Sequence, residues 1–153
     1  MTEEGEAPKY GAFLFDNGAR YEGSYVVKEG EPAEGEAESA AAIMRNGVGT
    51  YKLDANSYEG EWVADKMHGH GLFKFMDGSS YDGDWVENQF HGQGKYQWAT
   101  GAYYMGAWEK NRMHGEGVFV DDTGREWKGK FYNGQGPGLH TLPKPKQEAV
   151  NGS

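Results

Sequence analysis

Tyr58-Glu59-Gly60-Glu61-Trp62, followed by His68-Gly69-His70-Gly71 and a turn glycine at Gly78, decides the fold, because the pattern returns twice. Tyr81-Asp82-Gly83-Asp84-Trp85 leads to His91-Gly92-Gln93-Gly94 and Gly101. Tyr104-Met105-Gly106-Ala107-Trp108 leads to His114-Gly115-Glu116-Gly117 and Gly124. Tyr58, Tyr81 and Tyr104 are 23 residues apart, and Trp127, Gly129 and Phe131 keep the same register. A fixed period of this length marks an array of one small supersecondary unit. Upstream, Gly11, Phe13, Phe15 and Gly18 match Gly71, Phe73, Phe75 and Gly78. Tyr21, Gly23 and Tyr25 then open a unit whose second half resumes only at Asn46-Gly47-Val48-Gly49, after an insertion within Val26 to Arg45.

Each unit reads as a β-hairpin. Tyr58, Gly60 and Trp62 share one parity and Glu59 and Glu61 the other, which is the alternation of a strand with two unlike faces. Ala64-Asp65-Lys66-Met67 reads as the turn, with Glu87-Asn88-Gln89-Phe90 and Lys110-Asn111-Arg112-Met113 as its equivalents. Asp and Asn tolerate the left-handed backbone that tight turns need. The return strand is expected from His68 to Phe75, and Met76-Asp77-Gly78-Ser79 as the next turn. Glycine inside a strand weakens it, so these glycines need a reason, and the reason expected is space for rings laid across the sheet. An elongated, single-layer, antiparallel β-meander of about ten strands follows, with no helical periodicity in the repeats.

Composition agrees. Of 153 residues 25 are glycine, and aromatics reach 14% against a hydrophobic content of only 37%. Mean hydropathy is −0.87. There is aromatic surface to pack but little aliphatic core, which argues against a large-core enzyme. The chain has no cysteine, so disulfides, thiolate metal sites and a cysteine nucleophile are excluded. No apolar run approaches membrane-spanning length. The acidic start Met1-Thr2-Glu3-Glu4 lacks the basic and apolar regions of a signal peptide, giving an intracellular expectation. With a formal charge of −9, nucleic acid is a poor electrostatic partner and direct membrane binding is disfavoured.

The run Tyr-x-Gly-x-Trp, then His-Gly-x-Gly, then a turn glycine, on a 23-residue period, resembles the MORN-repeat family over roughly Gly11 to Gly138. The resemblance implies a curved single-layer meander with an aromatic-lined groove and a scaffolding or adaptor role rather than chemistry. Chains made almost wholly of these repeats are similar to components of cilia, flagella and sperm, including radial-spoke heads. The closing Trp127-Lys128-Gly129-Lys130-Phe131 looks like the small ciliary members. A protein partner, as a helix or an extended segment held in the groove, is the expectation, within a cytoskeletal axonemal assembly. The alternatives are a membrane-surface adaptor recognising anionic lipid and a homo-oligomer formed through the open face or a terminal strand edge.

The candidate partner-binding residues are the rings of one parity: Tyr58, Trp62, Phe73 and Phe75; Tyr81, Trp85, Tyr96 and Trp98; Tyr104, Trp108 and Phe119; and Trp127 and Phe131. Gly60, Gly69, Gly71, Gly83, Gly92, Gly94, Gly106, Gly115, Gly117 and Gly129 are expected to be structural. His68, His91 and His114 form a column about 9–10 Å apart, too wide for one zinc ion with bonds of about 2 Å. No metal, cofactor or catalytic residue is expected, and Glu59, Glu61, Asp82 and Asp84 read as a solvated face. By domain, 1–9 is expected to be a flexible acidic N-terminus, 10–142 the meander with an acidic insertion at about 27–45, and 143–153 a flexible tail. Ser39 to Met44 has the composition for a helical turn, and the insertion leaves continuity of the sheet near Tyr25 open.

Overall fold

Alternation of rings with polar residues, punctuated by Gly, Asn and Asp, gives strands and tight turns and almost nothing else. The structure, a computed structural model, describes residues 9–28 and 40–136. Among them ten strands form one sheet in chain order: β1 Lys9–Leu14, β2 Arg20–Val27, β3 Ile43–Leu53, β4 Asn56–Val63, β5 Lys66–Lys74, β6 Ser80–Val86, β7 Gln89–Gln97, β8 Tyr103–Glu109, β9 Arg112–Val120 and β10 Glu126–Phe131. Every neighbouring pair is antiparallel. The expected single-layer meander is what the chain forms.

Pairing aligns the repeats into two rows that cross all ten strands. One row is glycine: Gly11, Gly23, Gly49, Gly60, Gly71, Gly83, Gly94, Gly106, Gly117 and Gly129, each opposite the next. The other is aromatic: Phe13, Tyr21, Tyr51, Tyr58, Phe73, Tyr81, Tyr96, Tyr104, Phe119 and Trp127. The rows explain each other. A Cβ built at Gly71 would overlap the Tyr58 ring, at Gly94 the Tyr81 ring, and at Gly117 the Tyr104 ring. Each ring lies flat across the next strand because that strand has no side chain there.

The turns are tighter than the sequence suggested. Ala64 and Asp65 have φ of 48° and 71°, Glu87 and Asn88 47° and 68°, Lys110 and Asn111 47° and 69°. Positive φ at both central residues is the mark of the two-residue type I′ hairpin, whose twist matches that of the strands. The expected four-residue turns are therefore corrected to two. β5, β7 and β9 start at Lys66, Gln89 and Arg112, not at the histidines. Met67, Phe90 and Met113 become buried core residues.

The sheet is continuous past Tyr25. β2 and β3 pair out to Val27↔Ile43, with a register shift between Gly23 and Tyr25. Val27 and Ile43 to Arg45, assigned by sequence to the insertion, are strand residues. The expected helical turn is a 3-10 turn at Ala40–Ala42 that gives way to strand at Ile43. β1 begins at Lys9, one residue before the expected boundary. The flexibility expected for 1–8, the central insertion and the tail lies outside the described residues.

Candidate partner-binding face

The Tyr-x-Gly-x-Trp motif builds its own hydrogen-bond network around a bulge. Register shifts between Gly60 and Trp62, so that Glu61 faces the three residues His68 to His70; Asp84 and Ala107 sit likewise in the next two repeats. The extra residues are absorbed where Gly69, Gly92 and Gly115 take φ of 79°, 68° and 111°, a conformation that only glycine adopts without strain. The bulge leaves a carbonyl to which the tyrosine donates. Tyr58 Oη donates to the Glu61 carbonyl, Tyr81 to that of Asp84 and Tyr104 to that of Ala107, each at 2.8 Å, and Tyr21 donates to that of Ser24 at 2.5 Å.

The tryptophans reach the other way. Trp62, Trp85 and Trp108 donate Nε1–H to the carbonyls of Gly49, Gly71 and Gly94 on the preceding strand, at 3.2, 3.0 and 2.9 Å. Tyrosines leaning forward and tryptophans leaning back meet edge to face. Tyr58 lies 5.0 Å from Trp62 and 5.4 Å from Trp85; Tyr81 lies 5.1 Å from Trp85 and 5.4 Å from Trp108. Tyr21 at one end and Tyr104 with Phe131 at the other extend this spine. Such pairs contribute about 0.5–1.5 kcal/mol each beyond burial. Burial pushes the Tyr21 and Tyr104 hydroxyls up to about 12, and raises Tyr58 and Tyr81 further, with the Glu61 and Asp84 charges acting in the same direction.

The sequence matches the MORN repeat family over residues 58–80, 81–103 and 104–124. Residues 58–124 are three consecutive MORN repeats. No curated protein matches it. MORN repeats are interaction modules that engage protein or membrane partners, not a catalytic family. Here the MORN geometry runs beyond the matched residues: both rows continue through β1 to β3 and into β10.

The MORN register also shows where the candidate residues stand. Of the thirteen rings, Tyr58, Trp62, Phe73, Phe75, Tyr81, Trp85, Tyr96, Tyr104, Trp108, Phe119 and Phe131 are buried, none more than 6% exposed. They are covered by each other and form the core of a one-layer sheet. Trp98 and Trp127 are half-buried at its margin, with Phe13, Phe15 and Leu53. Trp98 Nε1 is buried and has no hydrogen-bond partner, alone in this among the described side-chain atoms. The candidate glycines divide into two jobs. Gly60, Gly71, Gly83, Gly94, Gly106, Gly117 and Gly129 stand in the glycine row, and Gly69, Gly92 and Gly115 in the bulges.

Sequence reasoning missed three groups. Glu61 and Asp84 are not merely solvated: their carboxylates accept the backbone N–H of His70 at 2.5 Å and of Gln93 at 3.0 Å across the bulge. The turn asparagines tie neighbouring hairpins together. Asn88 accepts the Met67 N–H and donates its own N–H to the Met67 carbonyl, and Asn111 does the same with Phe90. The third is Arg45, which occupies the core position of Met67, Phe90 and Met113. Its guanidinium lies 4.3 Å over the Trp62 ring and 5.0 Å over Tyr51, and its Nε is 2.6 Å from Asp65 Oδ1. Asp65 stands where the other repeats have Asn, so the signal was there: a buried cation and its counterion, substituted together. They line an open cavity of about 330 Å³ beside Phe15, Lys28 and Ile43.

The histidines do not converge. His70 faces Asp82 at 3.1 Å and Asp84 at 3.7 Å; His114 lies near Glu109 and the Tyr132 ring. Among the described residues no three His, Asp or Glu side chains are placed to hold a metal ion.

Proposed function

We propose that the chain is a non-enzymatic scaffold subunit or adaptor that holds a protein segment along the margin of its aromatic side, within a ciliary or flagellar axonemal assembly such as a radial spoke. The observation that carries the binding part is the contrast within that side. The spine is sealed by its own rings, whereas Trp98 and Trp127 are only partly buried at the rim. Partly covered tryptophans suit the anchoring of a partner, because they bring large apolar area at low entropic cost. The axonemal setting rests on the resemblance to the repeat-only ciliary proteins.

The test is capture from a ciliated-cell extract by the immobilised full chain, alongside Trp98→Ala and Trp127→Ala. Axonemal proteins retained by the natural sequence and reduced in at least one variant are the expected result. Retention of no axonemal protein overturns the setting, and identical retention by all three overturns the surface. Flotation with anionic vesicles at physiological salt separates the membrane reading: binding there, with no protein captured, would replace this proposal.

A further inference from the structure

The face opposite the rings does not repeat as the ring face does. The strand that opens each repeat presents Ser80, Asp82 and Asp84 there on β6, as β4 presents Glu59 and Glu61. On β8 the same positions are Tyr103, Met105 and Ala107, and on β10 they are Glu126, Lys128 and Lys130. The rings behind them keep their pattern, so the core does not demand this change. Carboxylates thus give way to an apolar strand and then to a strand with two lysines. β9 widens the apolar part, with Val118 opposite Met105 and Val120 opposite Tyr103. Met105 is 54% exposed, and Val120, though buried, is not part of the ring cluster.

The register sets these residues in line across the strands. Asp82 faces Lys95, Lys95 faces Met105, Met105 faces Val118 and Val118 faces Lys128. Asp82 and Lys128 therefore flank Met105 at equal distances, two strands or about 9–10 Å on either side. Asp84, Ala107 and Lys130 follow the same order along the next line. Little within the chain answers these charges. Lys95, although opposite Asp82, sits over the Tyr103 ring at 4.4 Å. Asp82 and Asp84 have the exposed His70 at 3.1 and 3.7 Å, and Asp84 also accepts the Gln93 N–H. Lys128 reaches Glu126 at 3.5 Å with its side chain still 71% exposed.

An acidic flank, an apolar centre and a basic flank at even spacing make a surface complementary to itself. We propose that this face docks on the same face of a second copy, across a two-fold axis running along β8. Such an axis lays β10 of each copy over β6 of the other. Met105 then meets Met105, while Lys128 meets Asp82 and Lys130 meets Asp84 of the second copy, and each charge pair occurs twice. β9 comes over β7, so Val118 lies against the aliphatic stem of Lys95. No like charges are opposed, because Glu116 meets Gln93 and Glu126 meets Ser80. The contact is isologous, so assembly stops at two copies. It uses neither a sheet edge nor the ring margin, and it stands whether or not a partner binds that margin.

Sedimentation equilibrium of the full chain tests this. The natural sequence should show a monomer–dimer equilibrium that salt weakens. Lys128→Glu and Asp82→Lys both change exposed side chains, and each sets like charges together at both junctions of a dimer. Each variant alone should dimerise about tenfold more weakly. Their equimolar mixture puts opposite charges back at both junctions and should dimerise as the natural chain does. Met105→Glu, which places two carboxylates on the axis, should abolish the dimer and leave the melting temperature of the dilute chain unchanged. A natural chain that stays monomeric, as it would if its own residues covered this face, overturns the proposal. So does association that runs past the dimer, and so does a mixture that associates no better than its components.

Discussion

Single glycines in this sheet are required for two separate reasons, and substitution distinguishes them. At Gly94 an added methyl overlaps the Tyr81 ring, so Gly94→Ala is an over-packing change. It should destabilise the chain by about 3 kcal/mol, read as a lower urea midpoint at unchanged slope. At Gly101 nothing lies within 4 Å and only the φ of 95° matters, so Gly101→Ala should cost about 1 kcal/mol. Arg45 gives a third case. Asp65→Asn removes the charge of a partner that is itself 38% exposed and keeps an oxygen to accept from Arg45, so it should cost about 1 kcal/mol. Arg45→Met/Asp65→Asn, which restores the residues of the other repeats, should recover that loss or exceed it. Denaturation of the single and double variants checks both.

At the scale of the hairpin, the type I′ turns hold non-glycine residues at positive φ in both positions. Glu87 is there at 47°, and asparagine is better suited to that backbone. Glu87→Asn should therefore stabilise by about 0.5–1 kcal/mol. Asn88→Ala should cost about 2 kcal/mol, because it loses both the left-handed tolerance and the acceptor for the Met67 N–H. Thermal melts of the two variants, moving in opposite directions, decide this. Here the limits of sequence reading are also plain. The hairpins, the strand phase and the reason for glycine were legible, because a 23-residue period repeats every ring and every gap. The bulge was not. It depends on three residues facing one, which alternation cannot register, and so Met67, Phe90 and Met113 were read as turn when they are core. Nor was the sealing of the rings legible, since Tyr58 and Trp85 meet only when tyrosines lean forward and tryptophans back.

Across the whole molecule, stability rests on a continuous spine of buried tyrosines and tryptophans, and this has a pH signature. The four raised tyrosines bind their protons more tightly folded than unfolded, where the value is about 10. Their contribution is fully present below about pH 10 and is lost as pH rises through the folded values, about 12 for Tyr21 and Tyr104. Stability should be flat from neutrality to about pH 10 and then fall steeply, with tyrosinate absorbance appearing together with loss of the sheet signal in circular dichroism. Early ionisation of these tyrosines without unfolding would contradict the burial.

Ring and glycine rows make one self-sufficient sheet of the described residues. Amide hydrogen exchange on the isolated full chain tests this most directly. Slow exchange should extend through the glycine-row amides from β2 to β9 as one cooperative unit, with β1 and β10 faster at the edges. Exchange that is rapid throughout, or slow only over residues 58–124, would contradict it.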